Sequence, residues 1–354
     1  MRKLQSIFAA AVFSSLLFAA VSCDRVFDDE QDCSPKIKFE FRKHRQALQT
    51  VNGKPADVFS ATVGSVHLFV YDAGSGRLVF EQYAAADRLK SEAELRIGSG
   101  SDKCYLPVDL APGQYRIVAW CGLDESDQNN AFALGEAARA AQSYAACSVK
   151  LAASGRPVND EKYEALYHGA VAAITVRAAG EVIPVELTKN TNDIAVWVQH
   201  TSATFEKGDY EVVYTDANGT MKFEDNSLTD DRPLEYHPHT TSLLTTSTEY
   251  NGAQVEAGAL VAHISTARLL EARQADARLE VRNRAGHTLF SIPFIRYLLE
   301  MQTFTSDGQY YLDCEDTYNC SFYLSGENET WMPSCIIINN WVRVPDQVED
   351  NIGS

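Results

Sequence analysis

Basic charge is scarce in this 354-residue chain: 31 Lys and Arg face 48 Asp and Glu, for a formal net charge of −17. Nothing offers phosphates a basic stripe, which excludes nucleic acid as a partner. Catalytic signatures are equally thin. No Gly-x-Ser-x-Gly turn raises a serine nucleophile. Gly98-Ser99-Gly100 lacks the lysine and the strand–helix setting of a phosphate loop. No Cys-x-x-Cys pair or Cys/His run has zinc-ligand spacing. His237-Pro238-His239 would place two imidazoles on one strand face near Asp230, Asp231 and Glu235, but the proline between them favours a polar loop over a metal site. Asp225, Asp230 and Asp231 around Asn226 lack the alternating ligand loop of a calcium site. The expectation is a protein that is not an enzyme and has neither metal nor cofactor.

No apolar run reaches membrane-spanning length either. What stands at the start is shorter: Arg2 and Lys3, then the apolar stretch Ile7 to Phe18, then Ala20-Val21-Ser22 directly before Cys23. That order is a secretory signal. A cysteine abutting the small residues resembles a bacterial lipobox, which implies a diacylglycerol thioether on Cys23, cleavage before it and acylation of its amine. Residues 1–22 are then a lipoprotein signal peptide, and 23–34 a lipidated acidic linker. More than one acyl chain is what makes such an anchor stable. Removing residues 1–22 takes away Arg2 and Lys3 and no carboxylate, so the formal charge falls from −17 to −19.

Besides Cys23 there are Cys33, Cys104, Cys121, Cys147, Cys314, Cys320 and Cys335. Export permits disulfides. An odd set leaves one thiol over, and spacing does not give connectivity. Cys314 with Cys320 across a short loop, and Cys104 with Cys147 or Cys33 with Cys121, are the candidate pairs.

Strand signals dominate the remainder. Ile37, Phe39 and Phe41 alternate with charged residues. Val66 to Tyr71 and Arg77 to Phe80 flank a glycine-containing loop, as in a hairpin. Cys104 to Leu110 reads as an edge strand because Pro107 lacks a donor. Gln114 to Trp120 is the strongest strand of the first half. Residues 131–142 are alanine-rich and predict a short helix. Tyr144 to Leu151 is a further strand, and Tyr163 to Arg177 holds two more, broken at His168-Gly169. Later come Val182 to Leu187, Ile194 to Val198, a hairpin from Tyr210 to Phe223 turned at Asn218-Gly219, then Leu260 to Ile264, Ala277 to Arg282 and His287 to Phe294. Ile295 to Gln302 has helical composition, and Cys320 to Leu324 and Ser334 to Val344 are the last strands. Many short strands without strand–helix alternation predict an all-β chain of two sandwiches, 35–178 and 179–348, divided near Ala178-Ala179-Gly180.

Several stretches, in order along nearly the whole chain, resemble the FimB-like fimbrial anchor lipoproteins. They are Cys23 with Asp28-Asp29 and Cys33, Val66 to Asp72, Leu110 to Trp120, Leu166-Tyr167-His168-Gly169, Val185 to Lys189, and Ile336 to Val342. Cys121 departs from the pattern where a glycine is expected before Gly122. The resemblance implies two tandem transthyretin-like β-sandwich domains, a lipid tether in the outer membrane, and a place at the base of a fimbrium, with a fimbrillin stalk subunit as partner and an influence on fibre length and retention. The acidic run Asp24, Asp28, Asp29, Glu30 and Asp32 resembles the surface-export signal of Bacteroidota-type lipoproteins. The alternative is a surface lipoprotein that binds glycan or host matrix. Of the four tryptophans, Trp120 and Trp341 end strong strands and are expected to be largely buried. Trp331, in an expected loop, is the candidate ligand contact.

Overall fold

The computed structural model describes residues 34–41, 50–51, 54–55, 62–91, 94, 103–123, 131–140, 143–151, 158–177, 180–200, 206, 208–229, 232–250, 253–301, 307–325, 330–331, 336–338 and 341–343. Cys23, Cys33, Cys335, Asp230 and Asp231 lie outside them. The fold is all-β, as the strand pattern predicts, with short helices only at the margins.

The first sandwich pairs an outer sheet with what is here termed the shared sheet. The outer sheet runs, in spatial order, Val182–Glu186, Lys36–Glu40, Lys103–Pro107 and Lys90–Ser91. The shared sheet runs Thr188–Lys189, Tyr167–Val176, Gly113–Cys121, Ser65–Asp72 and Leu78–Ala85. Between them lies a core of Ile37, Phe39, Leu106, Val185, Val66, Leu68, Ile117 and Ala119. The second sandwich faces a five-stranded sheet against a long one. The five-stranded sheet is Val158–Asn159, Leu234–Tyr236, Tyr210–Asp216, Arg278–Asn283 and Thr288–Pro293. The long sheet is Thr240–Tyr250, Ala253–Ala267, Thr191–His200, Thr317–Ser325, Ile336–Ile338 and Trp341–Arg343, with Thr330–Trp331 beside Thr317–Ser325. Ile194, Val196, Val198, Leu260, Ile264 and Phe322 meet Val212, Tyr214, Leu279, Val281 and Phe290 across it.

The two halves are not separate beads. Strand residues alternate sides, and in Gly113–Cys121 both sides are buried. Ile117, Ala119 and Cys121 enter the first core, while Val118 and Trp120 enter the second. The chain also leaves no linker between them. Val182–Glu186 pairs in parallel with Lys36–Glu40, so the first sandwich continues past the expected 178/179 boundary. Thr188–Lys189 then pairs with Tyr167–His168 in the shared sheet, and Thr191–His200 runs on into the middle of the long sheet. Two glycines permit this close packing. A Cβ on Gly122, at φ +85°, would meet the Ala165 carbonyl oxygen at 2.0 Å, and one on Gly169 would meet Val185 at 2.5 Å.

Several local expectations change. The alanine-rich stretch 131–142 begins as the strand Phe132–Leu134, with only Glu136–Arg139 helical, because Phe132 and Leu134 are wanted in the core. Tyr167–Val176 is one strand through His168-Gly169, bulged between Val171 and Ile174. Tyr210–Asp216 and Thr220–Lys222 do not form a hairpin. The first pairs with Leu234–Tyr236 and Arg278–Asn283, the second with Ser148–Leu151. Tertiary pairing overrides the local Asn-Gly turn signal there. The hairpin from Ser65–Asp72 to Leu78–Ala85 and the helix Phe294–Met301 are as expected.

There is no disulfide among the described residues. Cys104, Cys121, Cys147, Cys314 and Cys320 carry buried thiols. Cys104 and Cys147 belong to different cores on opposite sides of the shared sheet, which prevents their pairing. Cys320 points into the second core from mid-strand, whereas Cys314 ends the helix Gly308–Cys314.

The joint between the shared sheet and the second core rests on Phe223. Its ring lies 5.0 Å from Phe69 and 5.8 Å from Trp120, and it is fully buried. Phe223→Ala is expected to cost about 3–5 kcal/mol and to lower the urea midpoint of the whole chain. A loss below about 1 kcal/mol, the range of an ordinary surface change, would show that the ring does not hold the joint.

Candidate functional site

Among the places in the described residues that carry polar chemistry beyond packing are the joint between the sandwiches and a cleft at one side of the second. The joint is built on the turn after Thr220–Lys222, where Asn226 takes the left-handed backbone at φ 58°, a conformation asparagine tolerates better than most residues. The Asn190 and Asn226 side-chain amides donate to each other's oxygens at 2.6 and 2.8 Å. Arg268 donates to both carboxylate oxygens of Asp313 at 2.7 and 2.9 Å and to the Asn226 carbonyl at 3.0 Å. Gln309 adds a bond to Asp313 at 2.9 Å. Lys189 reaches Asp316 at 2.6 Å, with both side chains largely buried. A buried pair like Arg268–Asp313 is tolerated because its remaining donors are satisfied, so it fixes geometry more than it adds stability.

His168 closes this joint from the shared sheet. Its Nε2–H donates to the Phe223 carbonyl at 2.8 Å, and its ring lies 4.6 Å from Trp120. Burial, and secondarily the positive charge of Arg268, push its pKa down to about 4, against the opposing pull of the Phe223 bond and Asp225. The imidazole is therefore held neutral. Burial raises the Cys121 and Cys320 thiols well above their usual range, and raises Cys147 against the opposing bond from Tyr71. They remain protonated, and a thiol is a poor nucleophile in that form.

The cleft, of about 510 Å³, opens between the two sheets of the second sandwich and is lined by Tyr210, Val212, His237, Thr241, Leu260 and Ala262, among others. The two imidazoles of the His237-Pro238-His239 motif have separate partners. His237 faces Glu211 at 3.3 Å and Glu235 at 3.4 Å, and His239 bonds Thr240 at 3.0 Å. Among the described residues no group of three or more His, Cys, Asp or Glu could hold a metal ion. Trp120 is fully buried. Trp331 sits on a short strand paired with Leu324 instead of in the expected loop, because the chain turns back onto Thr317–Ser325. No helix among the described residues is long and apolar enough to cross a membrane.

A family model, fimbrillin-A associated anchor proteins Mfa1 and Mfa2, matches residues 29–345. The chain belongs to this anchor-protein family. Solved structures agree on the fold. A candidate adhesin of Bacteroides thetaiotaomicron is 24% identical with a TM-score of 0.68, covering 88% of this chain and 98% of that one. A candidate polysaccharide-binding protein of the same organism is 23% identical at TM-score 0.66, with 89% and 99% covered. The fimbrial anchor protein Mfa2 of Porphyromonas gingivalis is 16% identical at TM-score 0.57, with 87% and 98% covered. No curated protein sequence matches. Membership of the anchor-protein family gives the chain a fimbrial role in association with the cell surface.

Sequence reasoning named His168 as a strand break and as part of a resembling stretch, Asn226 within a rejected calcium loop and Phe223 as a strand end, gave none of them a place in the joint, and did not name Arg268 or Asp313. The one local signal was Asp225-Asn226, a dipeptide suited to a left-handed turn.

The depressed His168 pKa fixes a pH dependence. The unfolded imidazole titrates near 6.5 and the folded one near about 4. Its contribution is complete above pH 6.5 and is lost as pH falls toward 4, by about 3 kcal/mol in all. Urea titrations at pH 7 and pH 4.5 are expected to show a smaller pH loss for His168→Asn than for wild type. Equal losses would mean that the buried imidazole does not charge on unfolding.

Proposed function

We propose that this chain is the lipid-held base of a fimbrium. Cys23 carries the diacyl anchor in the outer membrane, and the double sandwich beyond it receives the first fimbrillin stalk subunit by strand addition. Holding that subunit sets both the retention of the fibre and its length. The supporting observation is the anchor-protein family match across residues 29–345, which begins just after the lipobox cysteine. The architecture suits the role. The residues between Cys23 and Lys36 reach at most about 45 Å when extended. They lead into Lys36–Glu40, a strand flanked in parallel by Val182–Glu186 and antiparallel by Lys103–Pro107. A pull along that strand loads two ladders in shear instead of peeling an edge. Strand addition provides main-chain hydrogen bonds for affinity and side-chain pockets for register.

The role requires structure and no chemistry, which fits the protonated thiols of Cys121, Cys147 and Cys320 and a histidine held neutral. The test is a strain lacking the gene, complemented with wild type or with Cys23→Ala. Wild type is expected to restore cell-bound fimbriae of normal length. Cys23→Ala is expected to appear in the soluble fraction, with fimbriae shed into the medium. Normal retention and length without the gene, or membrane partitioning of the Cys23→Ala protein, would contradict the reading.

A further inference from the structure

Sheet edges are templates for pairing with other chains, and folded proteins blunt them with charge, proline, bulges or shortness. Nearly every edge here is blunted. In the outer sheet one edge strand carries Pro184 and the other, Lys90–Ser91, has two residues. In the shared sheet Thr188–Lys189 is equally short, and Leu78–Ala85 carries Glu81 and faces a register shift. The five-stranded sheet ends in the two-residue Val158–Asn159 and in Thr288–Pro293, which is bulged and terminates in proline. The long sheet ends on one side in the three-residue Trp341–Arg343.

Its other edge differs. Thr240–Tyr250 is 11 residues long, Thr-Thr-Ser-Leu-Leu-Thr-Thr-Ser-Thr-Glu-Tyr, with no lysine, arginine or proline and a single carboxylate near its end. Among the described residues it pairs on one side only, with Ala253–Ala267, through an unbroken register. Leu243 and Leu244, adjacent and therefore on opposite faces, are 41% and 47% exposed. Beside this edge lies the cleft, lined by Thr241 and by the buried, core-facing Leu260 and Ala262. An uncapped ladder next to an unfilled part of the core is what an incoming strand requires: partners for its backbone and a slot for alternate side chains.

We propose that Thr240–Tyr250 is the acceptor edge, and that its occupant is an extended, uncharged or basic strand of the neighbouring fimbrial subunit. Charge selects this occupant over a second copy. Each mature copy carries a formal net charge of −19, that is −17 less the two charges of Arg2 and Lys3, and like-charged bodies brought edge to edge repel. The added strand lies along Leu243 and Leu244 and directs one face of its side chains toward the cleft.

This inference rests on the anchor reading, and the test separates the two. The full mature chain is mixed with the purified major fimbrial subunit of the same cell, and amide hydrogen exchange is followed by mass spectrometry. Protection is expected to rise across 240–250 on binding. The double variant Ser242→Lys/Leu244→Lys, which introduces the missing charge on one exposed face, is expected to weaken binding roughly tenfold or more. Val79→Lys on the other exposed edge is expected to leave binding unchanged, and circular dichroism checks that each variant is folded. Binding with new protection confined to 78–85, or to no edge strand, overturns the edge assignment alone. Protection of 240–250 in a self-associated form of the chain, unchanged by the subunit, overturns it in favour of a second copy. Absence of any binding removes the anchor reading and this inference with it.

Discussion

The structure depends on the two central strands of one sheet, Ser65–Asp72 and Gly113–Cys121, being covered on both faces. In Gly113–Cys121, alternate side chains feed two cores: Ile117, Ala119 and Cys121 on one side, Val118 and Trp120 on the other. Apolar area removed from water is worth roughly 25 cal/mol per Å², and a sheet covered on both sides collects this twice per strand. The second sandwich therefore has no independent wall at this joint, and its core is completed by the first. Phe223, wedged against Phe69 and Trp120, is where the two meet.

Polar groups then fix the registry that packing alone leaves loose. The reciprocal Asn190–Asn226 amides, the Arg268 fork on Asp313 and the His168 bond to Phe223 each admit a single arrangement. Residues 182–200 thread the outer sheet, the shared sheet and the long sheet in succession, with Asn190 tied to the Leu166 carbonyl at the crossing. The arrangement suits the proposed base of a fibre. Under that proposal, load entering at Lys36–Glu40 would pass into the second sandwich through ladders and a common core.

Much of this was legible in the letters. The outer strands alternate cleanly, as Ile37-Lys38-Phe39-Glu40 does, and the helix at Phe294–Met301 and the hairpin at Arg278–Pro293 follow their local composition. The run Ile117-Val118-Ala119-Trp120-Cys121 lacks alternation altogether, which is the mark of a strand covered on both faces. Other features were hidden because partners distant in sequence decide them. Ser148–Leu151 takes Thr220–Lys222 as a neighbour, which dissolves the hairpin that Asn218-Gly219 promises. Cysteine count and export suggested bridges, yet Cys104 and Cys147 are kept apart by the sheet between their cores. The joint residues Asn226, Arg268 and Asp313 have no motif, since their value arises only where three separate segments converge.

Scanning calorimetry of the mature chain tests the shared core most directly. Separate sandwiches on a linker would melt independently, whereas halves completed by one sheet melt together. The account predicts one transition whose calorimetric and van't Hoff enthalpies agree. Two resolved transitions, or a calorimetric enthalpy about twice the van't Hoff value, would contradict it.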